Sequence, residues 1–295
     1  MARIKKFGTF AGVFTPSILT ILGVIMYLRL PTIVGQAGLW TTLGIVLIAH
    51  IISITTGLSV SSIATDKKVQ AGGTYYMISR SLGLPIGGTL GLALFVGLSF
   101  SVSLYIIGFS ESFLQYFGWP SDANAIRVAG TIALAVVTTI TIISTSLALR
   151  MQFVIMAAIV LSLISILFGS HEYVPYVPYV PKITSSEGVS FMLLFGIFFP
   201  AVTGFEAGVS MSGDLRDPKK SIPKGTIWAV VVGLLSYIGL VFFFVYTVDA
   251  RLLAEDNQAL LKIAWVPQLV VAGIWGATVS SALGSILGAP RILQA

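Results

Sequence analysis

An all-α polytopic membrane protein is the fold class this sequence predicts, on three observations. Of 295 residues, 56% are hydrophobic and only 9% are charged, where a soluble domain has about a quarter charged; mean hydropathy is +0.97. Apolar runs of about 20 residues, the length a helix needs to cross the hydrocarbon of a bilayer, recur along the whole chain. Two of these runs share an interruption. Gly12-Val13-Phe14-Thr15-Pro16, with Thr20 and Gly23 beyond it, is echoed 184 residues later by Gly196-Ile197-Phe198-Phe199-Pro200, with Thr203 and Gly204 beyond it. Unwound backbone survives in hydrocarbon only where it lines a cavity or grips an ion. Paired interrupted spans at matching positions of two halves point to a transporter's binding site.

Eight spans are expected, in order. The first, 8–30, follows Arg3, Lys5 and Lys6; it is too long for a signal peptide and lacks a small-residue cleavage site. The second, 39–63, leads into an inner loop, 64–85, with Lys67-Lys68 and a Gly72-Gly73 turn before Tyr75-Tyr76. Spans three to five are 86–116, 126–148 and 151–170. In the connection that follows, Pro175, Pro178 and Pro181 recur every third residue, which favours an extended polyproline-II loop over helix. Span six, 189–212, holds the second interruption; an inner loop, 213–225, closes at Pro223 before span seven, 226–248. Residues 249–262, rich in Asp, Glu and Leu, predict an outer loop with a short surface helix, and span eight is 264–288. The expected organisation is a cytoplasmic N-terminus (1–7), a first five-helix repeat (8–170), an extracellular loop (171–188) and a partial second repeat (189–295). The chain stops at Pro290-Arg291-Ile292-Leu293-Gln294-Ala295, two spans short of a second five-span unit, as a fragment would.

Charge orients the chain. With the N-terminus inside, Arg3, Lys5, Lys6, Lys67, Lys68, Arg80, Arg150, Arg216, Lys219, Lys220, Lys224 and Arg291 fall on the inner face, and only Arg29, Arg127, Lys182, Arg251 and Lys262 on the outer. That bias is the positive-inside rule, so the net charge of +6 reflects topology and not a nucleic-acid footprint. Cysteine is absent, which excludes disulfides and thiolate metal sites. An enzyme reading has no support: there are two His, no phosphate-binding Gly-Lys-Ser/Thr loop and no carboxylate pair in a water-filled cleft. No cofactor is expected, and no metal beyond transported alkali cations.

A broken helix offers carbonyl oxygens from its upstream half and N–H groups from its downstream half, which suit a cation and an anion respectively. Held side by side, the two ions offset each other's desolvation cost.

The wording of several segments resembles the cation-chloride cotransporter family of the amino acid-polyamine-organocation superfamily, in a prokaryotic-like form. The matching stretches are Gly23-Val24-Ile25-Met26-Tyr27-Leu28-Arg29-Leu30 leading to Gly35-Gln36-Ala37-Gly38, and Gly72-Gly73-Thr74-Tyr75-Tyr76-Met77-Ile78-Ser79-Arg80-Ser81-Leu82-Gly83. Further on come Phe198-Phe199-Pro200-Ala201-Val202-Thr203-Gly204, Ser212-Gly213-Asp214-Leu215-Arg216-Asp217-Pro218 and Gly288-Ala289-Pro290-Arg291. The resemblance implies a LeuT-like five-plus-five inverted-repeat fold with spans one and six broken, of which eight spans are present. It implies cation-coupled chloride symport by alternating access in the plasma membrane, with K+, Cl− and Na+ as the transported ions. Its potassium ligands fall on Thr20, Ile21, Tyr105, Pro200 and Thr203, and its sodium ligands on Leu19, Leu22, Ala277, Ser280 and Ser281. Its chloride sites are backbone N–H groups at Gly23, Val24 and Ile25 and at Gly204, Phe205 and Glu206. Partners are then inorganic ions and the lipid bilayer, with a homodimer left open.

The match departs in places. Thr20 stands where the family usually has Asn, and Leu22 where sodium-coupled members often have Trp. Glu206 stands where the family has an apolar residue. Three readings of that acid stay open: an anion replacing the second chloride, a titrating group coupling transport to protons, or a helix cap. Gly204-Phe205-Glu206-Ala207 also resembles amino acid permeases of the same superfamily, which keeps a proton-coupled amino acid permease as the alternative. Among other polar residues, His50 is expected to bond between helices and Glu111 to sit near the outer end of span three. Arg29 is expected to snorkel outward, and Arg80 to meet Asp214 or Asp217 at the inner face.

Overall fold

The computed structural model describes residues 6–66, 72–143, 145–169 and 189–294; the polyproline stretch expected around 174–181 lies outside them. Thirteen α-helices make up most of the described chain. A π-helical turn at Phe10–Phe14 leads into α1 (Thr15–Ile21), and α2 (Val24–Leu28) completes the first span. Helix α3 (Leu30–Asp66) bends at Gly38, whose φ of 68° lies in the left-handed region that glycine tolerates. Next come α4 (Gly73–Leu82), α5 (Leu84–Tyr116), α6 (Ala123–Ile143) and α7 (Thr145–Leu167). Helix α8 (Phe191–Phe198) tightens into a 3-10 turn at Phe199–Thr203 before α9 (Glu206–Ser210). The remaining helices are α10 (Pro218–Thr247), the short α11 (Ala250–Glu255) and α12 (Ala259–Ile263), and α13 (Pro267–Gln294).

Seven helical segments are long and apolar enough to cross a membrane, and Met151–Leu167 of α7 is a shorter apolar eighth. The exterior suits lipid: α6 turns Val128, Ile132, Val136 and Ile140 outward at four-residue spacing. Helix α13 packs along α5 and α7, and α10 along α3. The broken first span threads between these pairs. It is 78% buried, against 11% for α6, which places it at the centre. Small residues permit that close fit. A Cβ added to Gly225 would fall 2.5 Å from the Val13 Cβ, and one on Gly233 would fall 2.6 Å from the Ile21 Cγ2.

The N-terminal end of this central span is tied down. The Phe7 N–H donates to the Asp214 carbonyl, and the Arg216 N–H to the Phe7 carbonyl, each at 2.9 Å. Toward the other face, α11 packs on α3 and the Trp265 N–H donates to the Ser165 carbonyl at 2.8 Å.

Four expectations need correction. The inner loop expected at 64–85 contains α4, because Tyr75 docks where Gly91 leaves room: a Cβ there would fall 2.5 Å from the Tyr75 Cδ2. The loop expected at 213–225 ends early, since Pro218 opens α10 and Pro223 lies inside it; proline suits the first helical turn, where its missing N–H costs least. His50 bonds to the Val46 carbonyl one turn back on its own helix, at 2.8 Å, and not between helices. Asp214 pairs with Arg291 at 3.3 Å and Asp217 with Lys220 at 3.7 Å, while the Arg80 guanidinium lies over the Tyr76 ring.

Candidate functional site

The two interruptions differ in kind. At the first, α1 ends at Ile21, Leu22 and Gly23 leave helical conformation (ψ 41° and −153°), and α2 restarts at Val24. At the second the chain does not extend. Pro200 lacks an N–H and crowds the carbonyl four residues before it, so the α ladder gives way to 3-10 bonding over Phe199–Thr203 and Glu206 opens α9. Phe205 and Gly204 keep right-handed helical angles. The second interruption is a tightening, where unwinding had been expected.

The two interruptions touch. A Cβ built on Gly204 would fall 2.7 Å from the Thr20 Cβ and 2.9 Å from the Ile21 nitrogen. No real side chain fits there, so only glycine lets the second break meet the first. Around this contact, three side chains from other helices hold backbone carbonyls in place. Ser17 donates to the Phe205 carbonyl at 2.9 Å, Ser53 to the Val202 carbonyl at 2.8 Å, and the Tyr237 hydroxyl to the Ile21 carbonyl at 2.7 Å. Tyr237 is fully buried and wedged edge-on against the rings of His50 and Phe198. The Thr20 and Thr203 hydroxyls bond back to the carbonyls of Pro16 and Pro200, at 2.9 and 2.8 Å. Their oxygen lone pairs stay available.

A cavity of about 540 Å³ starts at these breaks. Thr20, Thr203, Gly204, Glu206, Tyr105 and Ser281 all line it. On α5 the lining runs Leu90, Ala93, Leu94, Gly97, Leu98, Ser101, Tyr105, one helical face. Fifteen residues of helix correspond to about 22 Å, so the cavity reaches from the breaks toward the face where Thr74 and Ile78 of α4 close its wall. In the opposite direction it stops at Tyr105. One and two turns beyond, Phe109 and Phe113 lie tilted against Trp275 of α13, at ring separations of 5.9 and 5.5 Å. At the level of that plug, since Glu111 lies between Phe109 and Phe113 on α5, Arg29 and Glu111 form an ion pair at 3.1 Å, so Arg29 does more than snorkel.

The expected site residues therefore divide. Thr20, Tyr105 and Thr203 face one cavity; Ile21 and Pro200 stand behind it, their carbonyls accepting from Tyr237 and Thr203. The Tyr105 hydroxyl has no hydrogen bond among the described residues. Ser281 also has none, although it is 1% exposed, and its Oγ would lie 3.4 Å from a Cβ on Gly23. Ser280 turns to a smaller cavity shared with Thr20, Pro16 and Gln152. Leu19, Leu22 and Ala277 are buried beside this seam between α1 and α13. Gly23, Val24 and Ile25 open α2, and Gly204, Phe205 and Glu206 open α9. Four residues were missed from sequence: Ser17, Ser53, Tyr237 and Gln152. Their partners lie between 149 and 216 residues away for the three with a cross-chain bond, and no local pattern reports such pairs.

The chain matches the amino acid permease family over residues 12–295. It is 31% identical to mouse solute carrier family 12 member 2, over 99% of this chain and 29% of that protein. It is also 31% identical to vacuolar cation-chloride cotransporter 1 of Saccharomyces cerevisiae, over 98% of this chain and 29% of that one. Against the bumetanide-sensitive sodium-(potassium)-chloride cotransporter of Manduca sexta it is again 31% identical, covering 98% of this chain and 33% of the relative. The chain thus spans about a third or less of the length of these curated relatives. The motifs that resemble cation-chloride cotransporters are met by whole-chain similarity to that group. With seven membrane-length helices and a family match covering nearly all its residues, this chain is a multi-pass membrane protein of LeuT-like fold that belongs to the amino acid permease family.

Proposed function

We propose that the full-length protein is a secondary active transporter that moves chloride together with potassium and sodium by alternating access. The observation that supports it most is the contact of Gly204 with Thr20 at the head of a cavity that Tyr105 also faces. In this reading potassium sits among the oxygens of Thr20, Ile21, Pro200, Thr203 and Tyr105. Neutral oxygens replacing a hydration shell suit a large, weakly hydrated monovalent cation. Sodium sits at the seam of α1 and α13, with the carbonyls of Leu19, Leu22 and Ala277 and the hydroxyls of Ser280 and Ser281. The unpartnered Ser281 hydroxyl favours this, because a buried hydroxyl without a bond costs free energy unless a ligand completes it. The N–H groups opening α2 at Gly23, Val24 and Ile25 hold chloride; those at Gly204, Phe205 and Glu206 make a second anion position.

The cavity runs toward the face of α4 and the Asp214–Arg291 pair, while aromatic rings and the Arg29–Glu111 pair cover the other side. With the N-terminus cytoplasmic and the plasma membrane as location, this is the inward-facing state of the cycle. Uptake of rubidium into proteoliposomes by the full-length protein tests the reading: uptake should need chloride and rise with sodium. Rubidium uptake indifferent to chloride removal would reject it. The second reading, a proton-coupled amino acid permease, is favoured by the carboxyl of Glu206 in the cavity wall and would be promoted by amino acid uptake instead.

A further inference from the structure

We propose that the Glu206 carboxylate is a built-in counter-anion of the transport site, taking the second anion position that chloride would otherwise fill. Glu206 lies one turn past Thr203 and two residues past Gly204, the glycine in contact with Thr20. Its side chain lines the same cavity as Thr20, Tyr105 and Thr203 and is partly exposed to it. Among the described residues lining that cavity, the rest are hydroxyl-bearing, apolar or glycine, with no Lys, Arg or His. Arg291 faces the smaller neighbouring cavity and is already paired with Asp214.

Two deficits therefore stand side by side. The carboxylate has no cation in its wall among the described residues, and the neutral oxygens proposed for potassium supply no negative charge. When the cavity closes and water leaves it, a charged group persists there if an opposite charge compensates it. The bound cations and the carboxylate compensate each other. A second chloride on the same short turn would sit against a like charge, with no cation among the described lining residues to separate them. The site then holds two cations, one chloride and one carboxylate.

The carboxylate stays with the protein when the ions leave. A cycle carrying potassium, sodium and one chloride moves about one net positive charge, so an inside-negative potential accelerates uptake. This inference rests on the transporter reading above and adds the ion count to it.

The test measures rubidium and chloride uptake by the full-length protein in proteoliposomes, with sodium present. The expected wild-type chloride-to-rubidium ratio is about one, with uptake quickened by inside-negative potential; Glu206→Gln should raise the ratio about twofold and remove the response to potential. Glu206→Asp keeps the charge and should keep the wild-type ratio. A wild-type ratio near two, or an unchanged ratio in Glu206→Gln, overturns the proposal. So does proton uptake that accompanies rubidium and vanishes in Glu206→Gln, which would make the carboxyl a proton carrier. Purified wild-type protein gives a readout that needs no variant: it should bind rubidium in gluconate buffer without chloride, and failure to do so also overturns the proposal. Absence of any rubidium uptake by the wild type would take down the transporter reading and this inference together, whereas uptake with two chlorides would remove the inference alone.

Discussion

At the scale of single residues, the site depends on atoms that hold backbone rather than on atoms that reach substrate. Tyr237 donates to the Ile21 carbonyl from a fully buried position. Removing that hydroxyl frees the carbonyl to turn and forfeits about 1–2 kcal/mol of local hydrogen bonding. Tyr237→Phe should therefore raise the rubidium KM about tenfold at unchanged chloride KM; a rubidium KM unchanged from wild type would show that the bond is only structural. Gly204→Ala forces a Cβ to within 2.7 Å of the Thr20 Cβ. Overpacking of that kind costs about 1–3 kcal/mol, and the variant should lose transport while keeping a measurable folded fraction in a thermal-shift assay. Ser281 gives the opposite pattern. Its hydroxyl has no partner among the described residues, so Ser281→Ala should leave the melting temperature unchanged and abolish stimulation by sodium.

Individual elements show why they stop where they do. Pro200 lies inside its interruption, whereas Pro16 sits in the first turn of α1 and the first break comes six residues later at Leu22 and Gly23, so the two outcomes differ. At the first break Leu22 and Gly23 swing out of helix with Tyr237 holding the Ile21 carbonyl; at the second, Ser53 and Ser17 hold the Val202 and Phe205 carbonyls and the chain stays tightly wound. On the surface, α12 is anchored by Asp256. Burial pushes its carboxyl up, but the Lys262 ammonium at 2.5 Å and the Gln258 N–H at 2.7 Å outweigh this and hold it below its usual value. A depressed native value means stability that is present above the unfolded pKa of about 3.9 and lost as pH falls through the native one. The pair is solvent-accessible and screened, so the contribution is about 0.5 kcal/mol. Lys262→Met should lower the melting temperature slightly at pH 7 and not at all near pH 3.

The whole molecule is arranged as a central broken span held between helix pairs, with an aromatic plug on one side of the breaks and a cavity on the other. These 295 residues contain no cysteine, so a single cysteine introduced among them reports accessibility with no background from this part of the protein. Leu94→Cys, in the cavity wall, should react with a membrane-impermeant thiol reagent from the side that bears α4, and Phe113→Cys, in the plug, should react far more slowly from either side. Rubidium with chloride should protect Leu94→Cys if the cycle moves the cavity; equal labelling with and without the ions would argue against alternating access.

Much of this was legible in the residues. Spans, breaks, the short surface helix near 249–262 and the family likeness all follow from local signals: apolar run length, Pro and Gly placement, and contiguous motifs. Local signals fail where a partner is distant. The Gly72-Gly73 start of α4 has the local signature of a turn, and only docking of Tyr75 beside Gly91 makes helix worthwhile there. The inner-face partner of Asp214 proved to be Arg291, 77 residues away, and not Arg80. By itself the amino-acid order determined that this chain lives in a bilayer and that two of its helices cannot run through unbroken, since hydrophobicity and proline act within a few residues. Only the tertiary structure decided that the two breaks meet, which carbonyls are held and by whom, and that Glu206 faces a cavity with no cation among its described lining residues. Those are facts about neighbours brought together across the fold, where packing and charge compensation depend on distance in space and not on distance along the chain.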